Sequence, residues 1–187
     1  MIKAIIFDCF GVLVGEGWKA FRNEHFGKTG EMHDWANSQM QKVSRGEMSH
    51  EAIAELMHQK IGVLPGDFLQ VLHTNPTNVA LLEYIEEIKP RYKIGFLSNV
   101  GKNRLSELFT DHQLSLFDEM TLSYELGASK PDPVTYEYTA DKLGVQLEEC
   151  MFVDDTRSYC EGAEAVGMTA ILYRDFDTFK MEMDKLV

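Results

Sequence analysis

Short apolar runs recur along this chain, several of them ending on polar or charged residues, and this pattern constrains the fold more than any other feature. Ile2, Ala4, Ile5, Ile6 and Phe7 lead into Asp8, and Tyr92-Lys93-Ile94-Gly95-Phe96-Leu97 leads into Ser98-Asn99. Glu119-Met120-Thr121-Leu122 follows, then Cys150-Met151-Phe152-Val153, which ends on Asp154-Asp155, and finally Thr169-Ala170-Ile171-Leu172-Tyr173. These runs are too brief for stable helices, and the first is apolar on both faces, as a central parallel strand must be. Helical patterns separate the later runs, around Lys102 to Phe109, Pro133 to Leu143 and Tyr159 to Val166, and an amphipathic tail runs from Asp175 to Val187. Strands alternating with helices at these lengths predict an α/β fold, a Rossmann-like parallel sheet with helices on both faces. Right-handed crossovers then gather the carboxyl ends of the strands on one edge.

One stretch breaks the alternation. From about Trp18 to Lys89 almost nothing reads as strand, and apolar residues such as Met40 and Val43, then Ile53, Leu56 and Met57, recur at helical spacing. Ser49 to Ala52 has the composition of a helix start. We therefore expect a small all-helical cap at residues 15–80, inserted into a core formed by 1–14 and 81–187. A chain of 187 residues suits one core with a modest insertion. Trp18, Phe21, Phe26 and Trp35 are expected to form the cap's own core, with a substrate pocket as their other possible role.

Eighteen Lys and Arg against thirty Asp and Glu give a formal charge of -12, a field that repels nucleic-acid backbones and anionic membranes alike. Any phosphate site must then be locally electropositive, through a cation, a lysine or backbone N–H groups. No segment approaches the roughly twenty apolar residues of a membrane span. Cys9, Cys150 and Cys160 lack metal-ligand spacing and are expected to be reduced thiols. No targeting pattern precedes Asp8, and the expected location is cytoplasmic. No sequence feature sets an oligomeric state.

Four features fall at strand ends: Asp8, Ser98-Asn99, Lys130-Pro131 in the loop beyond the third run, and Asp154-Asp155. Taken singly, each has a plainer reading as a turn, a helix start, a solvated loop or surface charge. Together they bring a carboxylate nucleophile, a hydroxyl and amide pair, a cation and two more carboxylates to one crevice. A carboxylate can attack phosphorus only if its charge and the phosphate's are both offset, which an oxygen-coordinated divalent cation achieves. Asp8 would attack and also supply one metal oxygen, with Asp154 and Asp155 as the further ligands of a magnesium ion. Lys130 would neutralise the phosphate and Asp8 together, and Ser98 and Asn99 would donate hydrogen bonds to the substrate's oxygens.

In these segments the chain resembles the haloacid dehalogenase-like hydrolase superfamily, in the subgroup whose helical cap follows the first strand. The matching segments are Ile6-Phe7-Asp8-Cys9-Phe10-Gly11-Val12-Leu13, Gly95-Phe96-Leu97-Ser98-Asn99, Ser129-Lys130-Pro131-Asp132-Pro133 with Tyr136, and Phe152-Val153-Asp154-Asp155 with Glu161-Gly162-Ala163 and Gly167. All four motifs stand in order and span nearly the whole chain. The resemblance implies a hydrolase of a small phosphorylated metabolite, and it adds the backbone carbonyl of Phe10 to the metal ligands.

The chain departs from that pattern at Phe10, where phosphatases of the superfamily normally carry a second aspartate that protonates the leaving oxygen. Losing such acid–base help typically costs about a hundredfold or more in rate. Three readings follow: a phosphatase for good leaving groups, or one borrowing an acid from His25, His33 or Glu16 of the cap; a 2-haloacid dehalogenase, which resembles this chain in its aromatic residue at that position; or a catalytically weak binding protein. Asp154-Asp155 favours the magnesium-dependent phosphatase, because a metal-free dehalogenase would place two acidic groups against a carboxylate substrate. Thr156-Arg157-Ser158-Tyr159 stands where relatives often place Asn or Asp, so Thr156 or Ser158 is expected to steady the metal ligands. Cys9 is expected to point away from Asp8 into packing, since side chains alternate along an extended segment. His50, His58, His73 and His112 lack metal-ligand spacing and are expected on helices or at the surface.

Overall fold

The computed structural model describes residues 1–15, 17–100 and 105–186. Strand β1 (Ala4–Phe7) is followed by helices α1 (Gly17–Phe26), α2 (Glu31–Ser44), α3 (His50–Ile61), α4 (Pro65–His73) and α5 (Val79–Ile88). Then come β2 (Lys93–Ser98), α6 (Leu105–Leu108), α7 (Asp111–Leu114), β3 (Glu119–Leu122) and α8 (Ser123–Leu126). The chain closes with α9 (Pro133–Leu143), β4 (Cys150–Asp154), α10 (Arg157–Ala165), β5 (Thr169–Leu172) and α11 (Phe176–Leu186). The five strands form one parallel sheet in the order β3-β2-β1-β4-β5. The α/β reading and the helical insertion after β1 thus both hold.

Alternation along β1 builds the two layers. Ile5 and Phe7 join Met151, Val153, Ile94 and Phe96 under α5 and α11, whereas Ala4 and Ile6 join Cys150, Phe152 and Leu97 under α9 and α10. Chain order reverses on either side of β1, and a crevice opens there at the carboxyl ends of the strands. Local chemistry sets the helix limits. Ser49 Oγ accepts from Ala52 N at 3.1 Å to open α3, and Gly62, in the left-handed region, closes it. Asp132 caps α9, Pro133 occupies its first turn and Gly144 ends it.

Helices α1 to α4 share a separate apolar cluster built on Phe21, Ile53, Met57 and Phe68, while α5 packs its Leu81, Ile85 and Ile88 into the core. Entry to and exit from that helical layer run side by side: Gly15 N donates to Pro76 O at 2.8 Å, and Val14 bridges Thr77. The helix expected from Lys102 is seen from Leu105, residues 101–104 lying outside the described residues. It stops at Leu108 because Thr110 and Gln113 form a reciprocal capping box that starts α7. None of the described helices is long and apolar enough to cross a membrane.

Candidate active site

Asp8 follows β1, and β4 lies beside it in register, with Phe7 opposite Val153, so Asp154 comes next to Asp8. Each step down a strand turns the side chain over, which sends Asp8 and Asp154 to the α9 and α10 side and Cys9 into the opposite cluster with Phe7. Cys9 is therefore a packed residue, as expected. Lys130 arrives from the loop before α9 and is 1% exposed. Its Nζ donates to Asp8 Oδ1 at 2.5 Å and to Asp154 Oδ2 at 2.6 Å. Phe152 and Tyr159 hold the same ammonium against their rings, with centroids 5.2 and 5.1 Å away. A fully buried lysine persists only when paired, and this one is bridged to two carboxylates.

The electrostatics are unbalanced. Burial pushes the Asp8 carboxyl well above the usual carboxylate range, with Lys130 opposing the shift and Asp154 adding to it. Burial raises Asp154 too, against the pull of Lys130. Burial alone would depress Lys130, but the Asp154 and Asp8 charges outweigh it and hold the ammonium above its ordinary value. One ammonium thus faces two buried carboxylates, and the part-buried Asp155 is a third acidic group, paired with Lys19, which leaves two ammonium groups against three carboxylates. Ligand atoms of Asp8, Asp154 and Asp155 lie within 4.8 Å of one another. All are hard oxygens, the donor type magnesium selects, and the surplus negative charge is what a divalent cation would offset. The residues present therefore fit a magnesium ion.

Neighbouring groups fix the carboxylates. Thr156 N donates to Asp154 Oδ1 at 2.8 Å and Thr156 Oγ1 to Asp155 Oδ1 at 3.2 Å, so Thr156 takes the steadying position expected of it. Gly11 sits at φ +88°, and a Cβ there would overlap Asp155 Oδ2. Only glycine lets the loop after β1 pass so near that carboxylate. Lys19 of α1 reaches across from the helical insertion and pairs with Asp155 Oδ2.

Of the residues read as substrate donors, Asn99 lines the cavity over Asp8 but commits its amide elsewhere. Its Oδ1 accepts from Lys130 N at 2.9 Å and its Nδ2 donates to Lys130 O at 3.1 Å, clamping the lysine's backbone. Ser98 Oγ is buried and has no hydrogen-bond partner among the described residues. A buried orphan hydroxyl is costly, and Ser98 is fully buried and not among the residues that line the cavity. The ring of Phe10 lines the cavity beside Asp8.

That cavity, 310 Å³, runs from Asp8 and Asp155 to the insertion, where Trp18, Arg22, Asn37, Met40, His50 and Leu72 form its far wall. Trp18 serves both there and in the apolar cluster; Phe21 and Phe26 belong to that cluster, with Trp35 packed against it. Neither His25 nor His33 lines the cavity. His25 packs its ring at a tilt against Phe21 with centroids 4.3 Å apart, and His33 bonds Asp34 and Asn37. Glu16 lies outside the described residues. Lys19, Arg22, His50 and Tyr159 also border the site, and no motif in the sequence marks them. A Trp18–Arg22 spacing of four on one helix is the available signal for Arg22. The three cysteines are buried and form no disulfide, and burial pushes the Cys150 and Cys160 thiols up to about 12, so neither of those two is a nucleophile.

A family model described as haloacid dehalogenase-like hydrolase matches residues 2–167. Phosphatase MT3486 of Mycobacterium tuberculosis is 38% identical over 93 residues, 47% of this chain but 42% of its own length, so the match spans less than half of that relative. D-ribitol-5-phosphate phosphatase of Bacteroides thetaiotaomicron is 26% identical over 97% of this chain and 93% of its own. Among solved structures, the Bacteroides thetaiotaomicron enzyme BT-2542 with magnesium and inorganic phosphate superposes with TM-score 0.67 at 17% identity, covering 96% of this chain and 99% of that one. L-2-haloacid dehalogenase from Xanthobacter autotrophicus superposes with TM-score 0.67 at 21% identity, covering 100% and 84%. At such identities the structural likeness is one of fold.

Proposed function

This chain belongs to the haloacid dehalogenase-like hydrolase family, and from that premise we propose that it is a magnesium-dependent phosphatase of a small phosphorylated metabolite. The carrying observation is the triad of Asp8, Asp154 and Asp155, with ligand atoms within 4.8 Å, bridged through the first two by a buried Lys130. Curated relatives that are phosphatases support the same reading.

In this account Asp8 attacks the phosphorus atom with one carboxylate oxygen, and the bond from phosphorus to the leaving oxygen breaks to give an aspartyl phosphate. Water then hydrolyses that acyl phosphate and regenerates Asp8. Lys130 offsets the charge on Asp8 and on the phosphate, and the orphan hydroxyl of Ser98 donates to a phosphate oxygen. Asn99 holds the backbone of Lys130 so that its ammonium stays on Asp8. Asp8, Asp155, the carbonyl of Phe10 and, with an oxygen already bonded to Lys130 or Thr156, Asp154 would hold magnesium. When bound, that ion would offset the negative charge shared by carboxylate and phosphate. Residues 15–80 act as a cap over a core of 1–14 and 81–187 and limit bulk water. A cytoplasmic location accompanies this reading.

Phe10 favours one rival, a 2-haloacid dehalogenase, whose halide needs no proton to leave. Three acidic side chains oppose it, since they would repel a carboxylate substrate. In the phosphatase the same ring implies substrates whose leaving group departs without much proton help. The test is a panel of phosphorylated metabolites and 2-haloacids, each with magnesium and with chelator. Magnesium-dependent phosphate release is expected; halide release insensitive to chelator would replace the phosphatase with its rival.

A further inference from the structure

Arg22 is the residue of the cavity wall whose chemistry the phosphatase reading leaves unused. It lies on α1, three residues beyond Lys19, so both project from the same side of the helix. Lys19 meets Asp155, and three residues of helical rise put Arg22 about 4.5 Å farther along the axis from Lys19, on the wall of the same cavity. Its guanidinium is held by neutral groups: Nη1 donates to Asn37 Oδ1 at 2.7 Å, and Nη2 to Asn23 Oδ1 at 3.2 Å. Among the described residues it has no carboxylate partner, in a protein carrying thirty acidic side chains. A guanidinium fixed by amide oxygens, and left without a counter-ion beside the apolar walls of Trp18, Met40 and Leu72, is set to receive an anion in a partly dry site.

We propose that Arg22 is a specificity-determining residue, and that the substrate is a short phosphomonoester with a second anionic group, a carboxylate or phosphate, at the end remote from the scissile phosphate. The proposal rests on the phosphatase reading for the phosphate end alone. A cavity of 310 Å³ stands at the small end of ligand sites and suits a substrate of a few carbons.

Calorimetric titration of the Asp8→Asn protein with magnesium tests it, using glycerol 3-phosphate, 3-phosphoglycerate and glycerol 1,3-bisphosphate as probes. The probes with a second anion should bind about tenfold tighter than the alcohol, and the tighter of the two identifies the anion. Adding Arg22→Gln should bring that ratio to within about twofold, and Arg22→Lys should retain part of it. Equal binding of all three probes, or a preference that survives Arg22→Gln, overturns the proposal. The wild-type chain is assayed separately for magnesium-dependent turnover of acetyl phosphate, whose leaving group departs without proton help. A binding preference without turnover sinks the phosphatase reading and leaves Arg22's role standing; no binding of any probe sinks both.

Discussion

Lys130 is where a single side chain decides the most. Its ammonium is the buried counter-charge to Asp8 and Asp154, so Lys130→Met strands two buried carboxylates. Breaking a buried pair in this way costs about 3–5 kcal/mol. Chemical denaturation should show a loss of that order, and adding Asp154→Asn to Lys130→Met should recover part of it, while phosphate release stays absent in both. A stability unchanged by Lys130→Met would mean that the two carboxylates do not depend on it. Gly11 makes the second sharp case. With its positive φ and no room for a methyl group against Asp155, Gly11→Ala should displace that carboxylate and weaken magnesium binding, which titration calorimetry would read directly. Phe10→Asp runs the other way, and poor leaving groups should gain about a hundredfold in rate if a missing acid limits the enzyme.

Between elements, the far edge of the sheet carries a smaller electrostatic device. Asp118 accepts from Ile94 N at 2.7 Å and from Lys89 Nζ at 2.9 Å, tying β2 and β3 to the end of α5. Partial burial pushes its carboxyl up, but these donors outweigh it and hold it below its ordinary value. A carboxyl depressed on folding stabilises the protein above the unfolded value, near pH 4, and that contribution fades as pH falls through the folded value. Asp118→Asn should therefore be less stable than wild type near neutral pH, with the gap closing in acid; a gap constant with pH would refute the assignment. The helical insertion depends instead on packing: Phe68 is fully buried between Trp18 and Phe21, and Phe68→Ala should cost about 3–5 kcal/mol. Strands β1 to β5 and helix α9 are legible in the sequence because period and flanking residues are local signals, as is the row of strand-end residues they carry. Lys19 is not, because its partner Asp155 lies 136 positions away and no local pattern records a contact between insertion and core. Asn99 shows a subtler limit: its location at a strand end is readable, whereas its grip on the Lys130 backbone depends on how the loop before α9 folds back. The short helix α7 has no period to detect in four residues, and its one trace in the sequence is the Thr110 to Gln113 spacing of a capping box.

Over the whole molecule, a chain of net charge -12 gathers three acidic groups, offset by two ammonium groups, at the point where the order of its parallel sheet reverses. Such an arrangement is under electrostatic tension, and a ligand that binds the folded state alone relieves it. Magnesium at a hundred times its Kd should add about 2.7 kcal/mol, raising Tm by about 5–10 °C in a chain of this length. Sodium at equal ionic strength should do much less. The central claim is that Asp8 itself takes the phosphoryl group. Acid-quenching the protein during turnover of acetyl phosphate with magnesium, reducing with borohydride and mapping peptides by mass spectrometry tests it directly. An acyl phosphate at position 8 would be reduced to the alcohol there, and nowhere else, in a magnesium-dependent manner. Phosphate release with an unreduced Asp8, or with the label on another side chain, would contradict the account.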